Sequence, residues 1–341
     1  MEETAGRGAA IDADGVELTY SDGTEAVKGI DLEVPEGEFF GFLGPNGAGK
    51  TTTIKTFATL LSPTGGRITV NGFDVQREAR KVRESIGYMA QETSVDLELT
   101  ARENVRFAAQ AYGVPRDRRA DRIDELLDLV DLADVADKRA DEFSGGMKKR
   151  LDVATALVHD PPLVFLDEPT TGLDPKARNK LWDYFQRINE EGTTLFLTTQ
   201  YLEEADALCD RLAVILDGEI VAEGSPMELK RQVGGEILDV DLADSDERER
   251  AAEIARESGV FESDADVTVS DDGISVTAER AREHGTDLLV ALRDADITVT
   301  GFNIRAPTLD DVFLAITGER PDLDRDDGDD ATATTAEVTA E

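Results

Sequence analysis

Apolar and polar positions alternate in short runs from Ile11 to Val34, and further along the chain the period changes twice. Val16-Glu17-Leu18-Thr19-Tyr20 and Ile30-Asp31-Leu32-Glu33-Val34 put every second side chain on one face, the period of a half-buried strand. Gly66-Arg67-Ile68-Thr69-Val70 continues the pattern, so antiparallel strands are predicted here. From about residue 100 to 160 the apolar residues fall at helical spacing, over Asn104–Tyr112, Arg118–Val130 and Met147–Val158. Short apolar runs follow at 163–166, 194–198 and 212–216. They alternate with helices, as buried parallel strands of an α/β sheet do.

Beyond Gly224-Ser225-Pro226 the order becomes strand (236–242), helix (about 246–258), strands around 267–269 and 274–276, helix (281–292) and strand (297–304). That β-α-β-β-α-β order predicts a small ferredoxin-like α+β domain. The expected division is therefore 11–225 for the first domain, with its helical part at about 95–160, then 226–318 for the second. Residues 319–341 carry nine acids against two bases between Thr and Ala. Such a composition cannot bury enough apolar surface to order itself, and an acidic solvated tail is expected there. No internal repeat is found.

Charge changes the picture. Asp and Glu number 74 against 36 Lys and Arg, a formal net charge of −38, and the acids are spread along the whole chain. Such a surface repels nucleic acid and anionic lipid over most of its area. It suits molar salt, where the Debye length shrinks to ~3 Å, as in a haloarchaeon. The single cysteine, Cys209, excludes an internal disulfide and reads as a buried, inert thiol. No run approaches the ~18 apolar residues of a membrane span, and the N-terminus has no signal-peptide pattern. The expectation is an intracellular protein whose membrane role, if any, comes from a partner.

The strongest local signal is Gly44-Pro45-Asn46-Gly47-Ala48-Gly49-Lys50-Thr51, which fits the phosphate-loop pattern and follows the apolar run 39–43. Gly44, Gly47 and Gly49 allow consecutive N–H groups to turn toward phosphate oxygens. Lys50 supplies a positive charge and Thr51 a hydroxyl for Mg²⁺. A helix opening at Thr52 and running to Leu61 adds its positive dipole end. A bare glycine turn would need neither the Lys-Thr pair nor the flanking strand and helix. Asp167-Glu168 closes the run 163–166, so two carboxylates emerge at the carboxyl edge of the sheet, where nucleotide chemistry belongs. Asp167 is the candidate Mg²⁺ holder and Glu168 the candidate general base toward water.

Phe143-Ser144-Gly145-Gly146-Met147, just upstream, is by itself a helix cap with two glycines. In this order with the phosphate loop it resembles the signature loop of ATP-binding-cassette proteins, and the resemblance extends over residues 11 to about 225. It implies a phosphate-loop α/β core, RecA-like, with an antiparallel β subdomain and a helical subdomain, and ATP and Mg²⁺ as ligands. Ser144, Gly145 and Gly146 would meet the γ-phosphate held by a second copy. Met147 stands where the family has Gln, and the side-chain amide is lost. Tyr20 matches the family's adenine-stacking aromatic. Gln91 matches the glutamine that touches Mg²⁺ and water, and Gly172-Leu173-Asp174 the loop through which two subunits sense each other. Gln200 stands in place of the usual switch histidine, and neither of the two histidines, His159 and His284, is at that position.

Gln200, the signature Phe-Ser-Gly-Gly-Met and the segment Pro307-Thr308-Leu309-Asp310-Asp311-Val312-Phe313-Leu314 together resemble the daunorubicin-resistance branch of exporter ATPases. The resemblance implies ATP-driven homodimerisation, a separate transmembrane permease, drug or other amphiphile efflux, and a cytoplasmic protein peripheral on the inner membrane face, with no nucleic acid bound. Two rivals remain at this point: a soluble mechanochemical ATPase acting on nucleic acid or ribosomes, and a cassette that only regulates. Tandem cassettes or a long heptad insert would favour the first, and the chain has neither.

Overall fold

The computed structural model describes residues 8–261, 265–270, 272–279 and 281–317. The expected acidic tail at 319–341 lies outside the described residues. The predicted alternation at the start of the chain produces β1 (Ala9–Thr19) and β2 (Glu25–Pro35), which pair antiparallel. They are followed by β3 (Phe39–Leu43) and α1 (Lys50–Phe57), and then by β4 (Gly65–Val70) and β5 (Phe73–Asp74). One sheet has the order β2-β1-β4-β5. Ile11, Ala13, Val16 and Leu18 face the core from β1, as Ile30, Leu32 and Val34 do from β2. Tyr20 falls just past β1, in a turn where its N–H donates to Thr24 O at 2.8 Å.

After α2 (Ala79–Glu84) come β6 (Ile86–Met89), the helices α3 (Ala101–Ala111), α4 (Arg119–Leu129) and α5 (Gly145–Ala156), and then β7 (Leu163–Asp167). The chain continues through α6 (Pro175–Glu190), β8 (Thr194–Thr199), α7 (Leu202–Leu208), β9 (Arg211–Leu216) and β10 (Glu219–Gly224). The second sheet runs β10-β9-β3-β8-β7-β6 and is parallel except for the edge strand β10. Its central strands are buried on both faces, so they read as unbroken apolar runs rather than alternating ones. Phe196 of β8 is ringed by Phe40, Phe42, Phe57 and Phe165 at 5.5–5.7 Å between centroids. Each such pair is worth about 0.5–1.5 kcal/mol beyond burial, and the Phe57 contact seats α1 on the sheet. The order places the carboxyl ends of β3, β8, β7 and β6 in one row. That row carries, in turn, the Gly44 loop, Gln200, Glu168 and Gln91.

Several boundaries differ from expectation. The helix expected over 52–61 begins at Lys50 and stops at Phe57, because Ala58 caps it and Thr59 takes a left-handed φ of 62°. β6, with four residues, is too short to stand out in the sequence, and β10, at the sheet edge, alternates exposed and half-buried positions and lacks an apolar run. α3, α4 and α5 pack with Met89, Leu166 and α6 in one cluster, so the helical part is continuous with the β7 face. Cys209 is buried at the end of α7, and burial pushes its thiol well up. Its Sγ fills the space beside Gly41, where an added Cβ would come within 2.6 Å.

The remaining chain forms α8 (Pro226–Gln232), β11 (Glu236–Leu242), α9 (Arg248–Glu257), β12 (Asp266–Val269), β13 (Gly273–Ala278), α10 (Ala281–Asp294), β14 (Val299–Arg305) and α11 (Leu309–Thr317). The sheet order β12-β13-β11-β14, antiparallel throughout, is the ferredoxin-like arrangement expected from the sequence. Arg305 on β14 donates to Asp239 at 2.9 Å and to both oxygens of Asp311 at 2.6 and 3.0 Å. This fork fixes the start of α11, whose Leu309, Val312 and Phe313 pack against Leu43, Leu202 and Leu229. Among the described residues, no helix is long and apolar enough to cross a membrane.

Candidate nucleotide site

The phosphate loop leaves β3 and turns on two glycines at positive φ, Gly47 (84°) and Gly49 (106°). An added Cβ at Gly47 meets nothing, whereas at Gly49 it would fall 2.4 Å from Ala26 O. Gly44 has a different reason from the one its place in the motif suggests. It is not left-handed, and an added Cβ there would strike Ile215 O at 2.4 Å, so it serves the close passage of β3 beside β9. Ala48 is buried and accepts from Gly218 N–H at 3.0 Å, anchoring the loop from behind. Gly44 N–H donates to Thr199 O at 3.3 Å, which ties the loop to the end of β8. Pro45 and Asn46 form its rim.

The Lys50 side chain is 4% exposed and donates to Gly44 O at 2.8 Å and Pro45 O at 3.0 Å. Its ammonium stands 3.3 Å from Glu168 Oε1. Burial pushes the Lys50 ammonium down, and the Glu168 and Asp167 carboxylates oppose that shift. A buried ion pair of this kind needs further hydrogen bonds to hold both charges, and the site supplies them. Glu168 Oε2 accepts from Gln91 Nε2 at 3.0 Å, and the Gln91 carbonyl in turn accepts from Lys149 Nζ. Glu168 itself sits at φ 46°, a conformation uncommon outside glycine, and its N–H donates to both the carbonyl and the hydroxyl of Thr198. Observed strain of this sort marks a position that the surrounding structure over-determines.

Asp167, 1% exposed, accepts on Oδ1 from Thr51 Oγ1 at 3.1 Å and from Thr198 Oγ1 at 2.7 Å. Its Oδ2 accepts from Tyr88 at 3.4 Å. Burial, with Asp167 beside it, raises the Tyr88 phenol far above its ordinary range, so this group stays a donor. Thr51 and Asp167 thus bring oxygen donors together, the chemistry a hard cation prefers, while Gln91 reaches the site through Glu168. Among the described residues no group of three or more His, Cys, Asp and Glu could hold a metal alone. Tyr20 is exposed, and its hydroxyl meets Thr52 Oγ1 at 3.0 Å over the start of α1. Gln200 follows β8 directly and is half-buried.

The other expected contributors form a second group. Ser144 caps α5 by accepting from Met147 N–H at 3.3 Å, and Asp174 caps α6 by accepting from Ala177 N–H at 2.9 Å. An added Cβ at Gly146 would stand 3.0 Å from Ala177 Cβ, and one at Gly145 would lie 3.9 Å from Leu173, so the two loops adjoin. Ser144 and Asp174 are exposed. Among the described residues no hydrogen bond joins this group to Lys50, Thr51, Asp167 or Glu168.

Three supports escaped the sequence reading: Thr198, Tyr88 and Lys149. Thr198 offered a faint signal as a polar residue inside a buried strand. Lys149 offered another, as a buried cation on the helix that Ser144 opens.

The ABC transporter family profile matches residues 27–171, and that of the ATP-binding protein DrrA1-3-like C-terminal domain matches residues 224–317. The chain is 44% identical to the daunorubicin/doxorubicin resistance ATP-binding protein DrrA of Streptomyces peucetius, over 92% of this chain and 94% of that one. The chain belongs to the ABC transporter ATP-binding proteins, in their daunorubicin-resistance branch. Daunorubicin resistance ATP-binding protein DrrA3 of Streptomyces coeruleorubidus is 43% identical, over 91% of this chain and 96% of its own. Among solved structures, a dimeric ATP-binding cassette in a post-hydrolysis state bound to ADP and Pi superposes with a TM-score of 0.58. It is 29% identical and covers 63% of this chain and 98% of its own. The family binds ATP, and this ABC protein is an ATP-hydrolysing enzyme with the α/β phosphate-loop fold of its class.

Proposed function

We propose that two copies of this chain close on two ATP molecules, each held by one copy's phosphate loop and capped by the other copy's Ser144-Gly145-Gly146, and that closure and release drive a separate membrane permease. The observation that carries this is the division of the site. Lys50, Thr51, Gln91, Asp167 and Glu168 form one hydrogen-bonded set, while Ser144 and Asp174 are exposed and bound only to their own helices. The dimeric relative bound to ADP and Pi supports the same reading.

In this reading the turns at Gly47 and Gly49, with Ala48 between them, present N–H groups to the β- and γ-phosphates. Tyr20 and Thr52 flank the adenine side. A phosphate oxygen entering the loop competes with Glu168 for the Lys50 ammonium, so the carboxylate is freed as the substrate is gripped. Glu168 then takes a proton from the attacking water, and Gln200 donates an amide hydrogen bond to the γ-phosphate. Thr51, Asp167 and Gln91 would hold magnesium, which when bound neutralises charge on the phosphates. Positioning and charge account for most of such catalysis. Asp174 carries the state of one copy to the other.

The nucleotide-binding unit spans 11–225, with a helical part at about 95–160, and the accessory domain spans 226–318. The cargo class is an amphiphile of the kind named for the resistance relatives. The protein works on the cytoplasmic face of the membrane. Relatives named for drug resistance give no support to a track of nucleic acid or ribosomes. Spread acidity suits molar salt, so assays belong in concentrated KCl. Turnover per chain, measured there against protein concentration with ATP and magnesium saturating, should rise as dimers form, with sedimentation run in parallel. Full turnover from a species that stays monomeric would end this proposal.

A further inference from the structure

Glu204 is the most deeply buried carboxyl in the described chain, fully enclosed on α7 four residues after Gln200. Its Oε1 accepts from Thr170 Oγ1 at 2.9 Å and from Trp182 Nε1 at 3.0 Å. The Thr199 hydroxyl and the Arg178 guanidinium are near enough to act on it. These partners come from three segments: the loop that leaves Glu168, the helix that Asp174 caps, and the end of the strand that presents Gln200.

Arg178 also lies over the Tyr201 ring, 4.7 Å from its centroid, and faces Glu203 at 3.9 Å. Five buried side-chain atoms have no hydrogen-bond partner among the described residues, and three of them are Thr171 Oγ1, Arg178 Nε and Glu204 Oε2. Polar atoms left buried and unpaired are costly. A group of them where three segments meet calls for a role beyond packing.

We infer that Glu204 is a positioning residue that brackets the Glu168 segment to the Gln200 segment through Thr170, Thr199 and Trp182, so that both side chains address one phosphate. This rests on the roles given above to Glu168 and Gln200. Burial raises the Glu204 carboxyl above its ordinary range, and the hydrogen bonds from Thr170 and Trp182, with the Thr199 hydroxyl nearby, only partly offset this. Glutamine keeps a side-chain oxygen that can accept from Thr170 and Trp182, so Glu204→Gln should work where Glu204→Ala does not. Trp182 is the only tryptophan in the chain. Because its indole N–H is bound to this carboxyl, its fluorescence reports on the bracket.

The test uses the full-length protein in molar KCl and measures kcat, KM for ATP and Trp182 emission with and without ATP. The variants are Glu204→Gln, Glu204→Ala and Thr170→Val, with Glu168→Gln as reference. Small misplacements of reacting groups cost up to ~100-fold. On that scale Glu204→Ala and Thr170→Val should each lose roughly tenfold in kcat, with KM within about twofold. Glu204→Gln should stay near native, and native Trp182 emission should shift on adding ATP while the two damaged variants lose the shift. If Glu204→Ala fails to fold, the near-isosteric Thr170→Val carries the test. Native kcat in Thr170→Val, or native Trp182 emission indifferent to ATP, overturns the inference. Full activity in Glu168→Gln would instead sink the reading of the site itself, so the two failures are told apart.

Discussion

The phosphate-loop half of the site and the signature half are built from the same materials and organised in opposite ways. Each combines glycines, a hydroxyl and a helix N-terminus, the usual means of meeting an anion. In the first half every charged group is already tied to another element: Lys50 to Glu168, Glu168 to Gln91, and Asp167 to Thr51, Thr198 and Tyr88. In the second half, Ser144 and Asp174 satisfy only the first turns of α5 and α6. A buried set can be wired internally because it is never asked to pair with a surface. An exposed set with capped helices and bare glycines leaves its anion-binding groups open, as the proposed closure on a second copy requires.

The comparison breaks most visibly at Glu168. If Glu168 serves chemistry, Glu168→Gln should lower turnover by roughly 10²–10⁴, the range for removal of a general base. ATP binding should persist, and an ATP-bound dimer should accumulate in light scattering. If the carboxylate were only the counter-ion of Lys50, the variant would lose stability instead, by the ~3–5 kcal/mol that breaking a buried pair costs, and would keep turnover per folded chain. Denaturant titration alongside the rate measurement separates these outcomes.

Mixing variants sharpens the comparison further. Ser144→Arg removes a helix cap, worth about 1 kcal/mol, and blocks the exposed anion face. Alone it should lower turnover by about 10²-fold, the cost of losing one stabilising donor group. Combined in equal amounts with Glu168→Gln, it should regain activity. One site of each mixed dimer then joins an intact phosphate-loop half to an intact signature half, giving about a quarter of native turnover if sites are independent. No recovery on mixing would place both halves in the same chain.

The same contrast explains what the sequence made legible. The phosphate loop, Asp167-Glu168 and the signature loop are contiguous, so each could be read where it stands. Thr198 and Tyr88 hold Asp167 from positions 31 and 79 residues away. Only the order β8-β7-β6 brings them there, and no local spacing encodes that order. Lys149 reaches Gln91 O because α5 lies beside β6, a strand of four residues that periodicity alone could not separate from loop. Gly44 was read for its place in the motif, but β9, far along the chain, dictates it. The ferredoxin-like order was legible throughout, because its elements are local and each has its own period.

The smallest expected effect concerns Gln200, the position where this chain departs from the usual histidine. An amide donates without titrating near neutrality, whereas imidazole changes charge near pH 6.5. The native profile should therefore have no inflection assignable to this position, and Gln200→His should acquire one as falling pH makes the ring a stronger donor to phosphate. His159 does not confuse the comparison. It is buried, its Nε2 is set against Ile86 O and its ring is stacked on Tyr112, and burial lowers its affinity for a proton. Because the unfolded chain takes that proton first, His159 costs stability as pH drops below about 6.5, equally in native and variant. The difference between the two pH-rate profiles isolates residue 200, and superimposable profiles would show that this position does not touch the reacting phosphate.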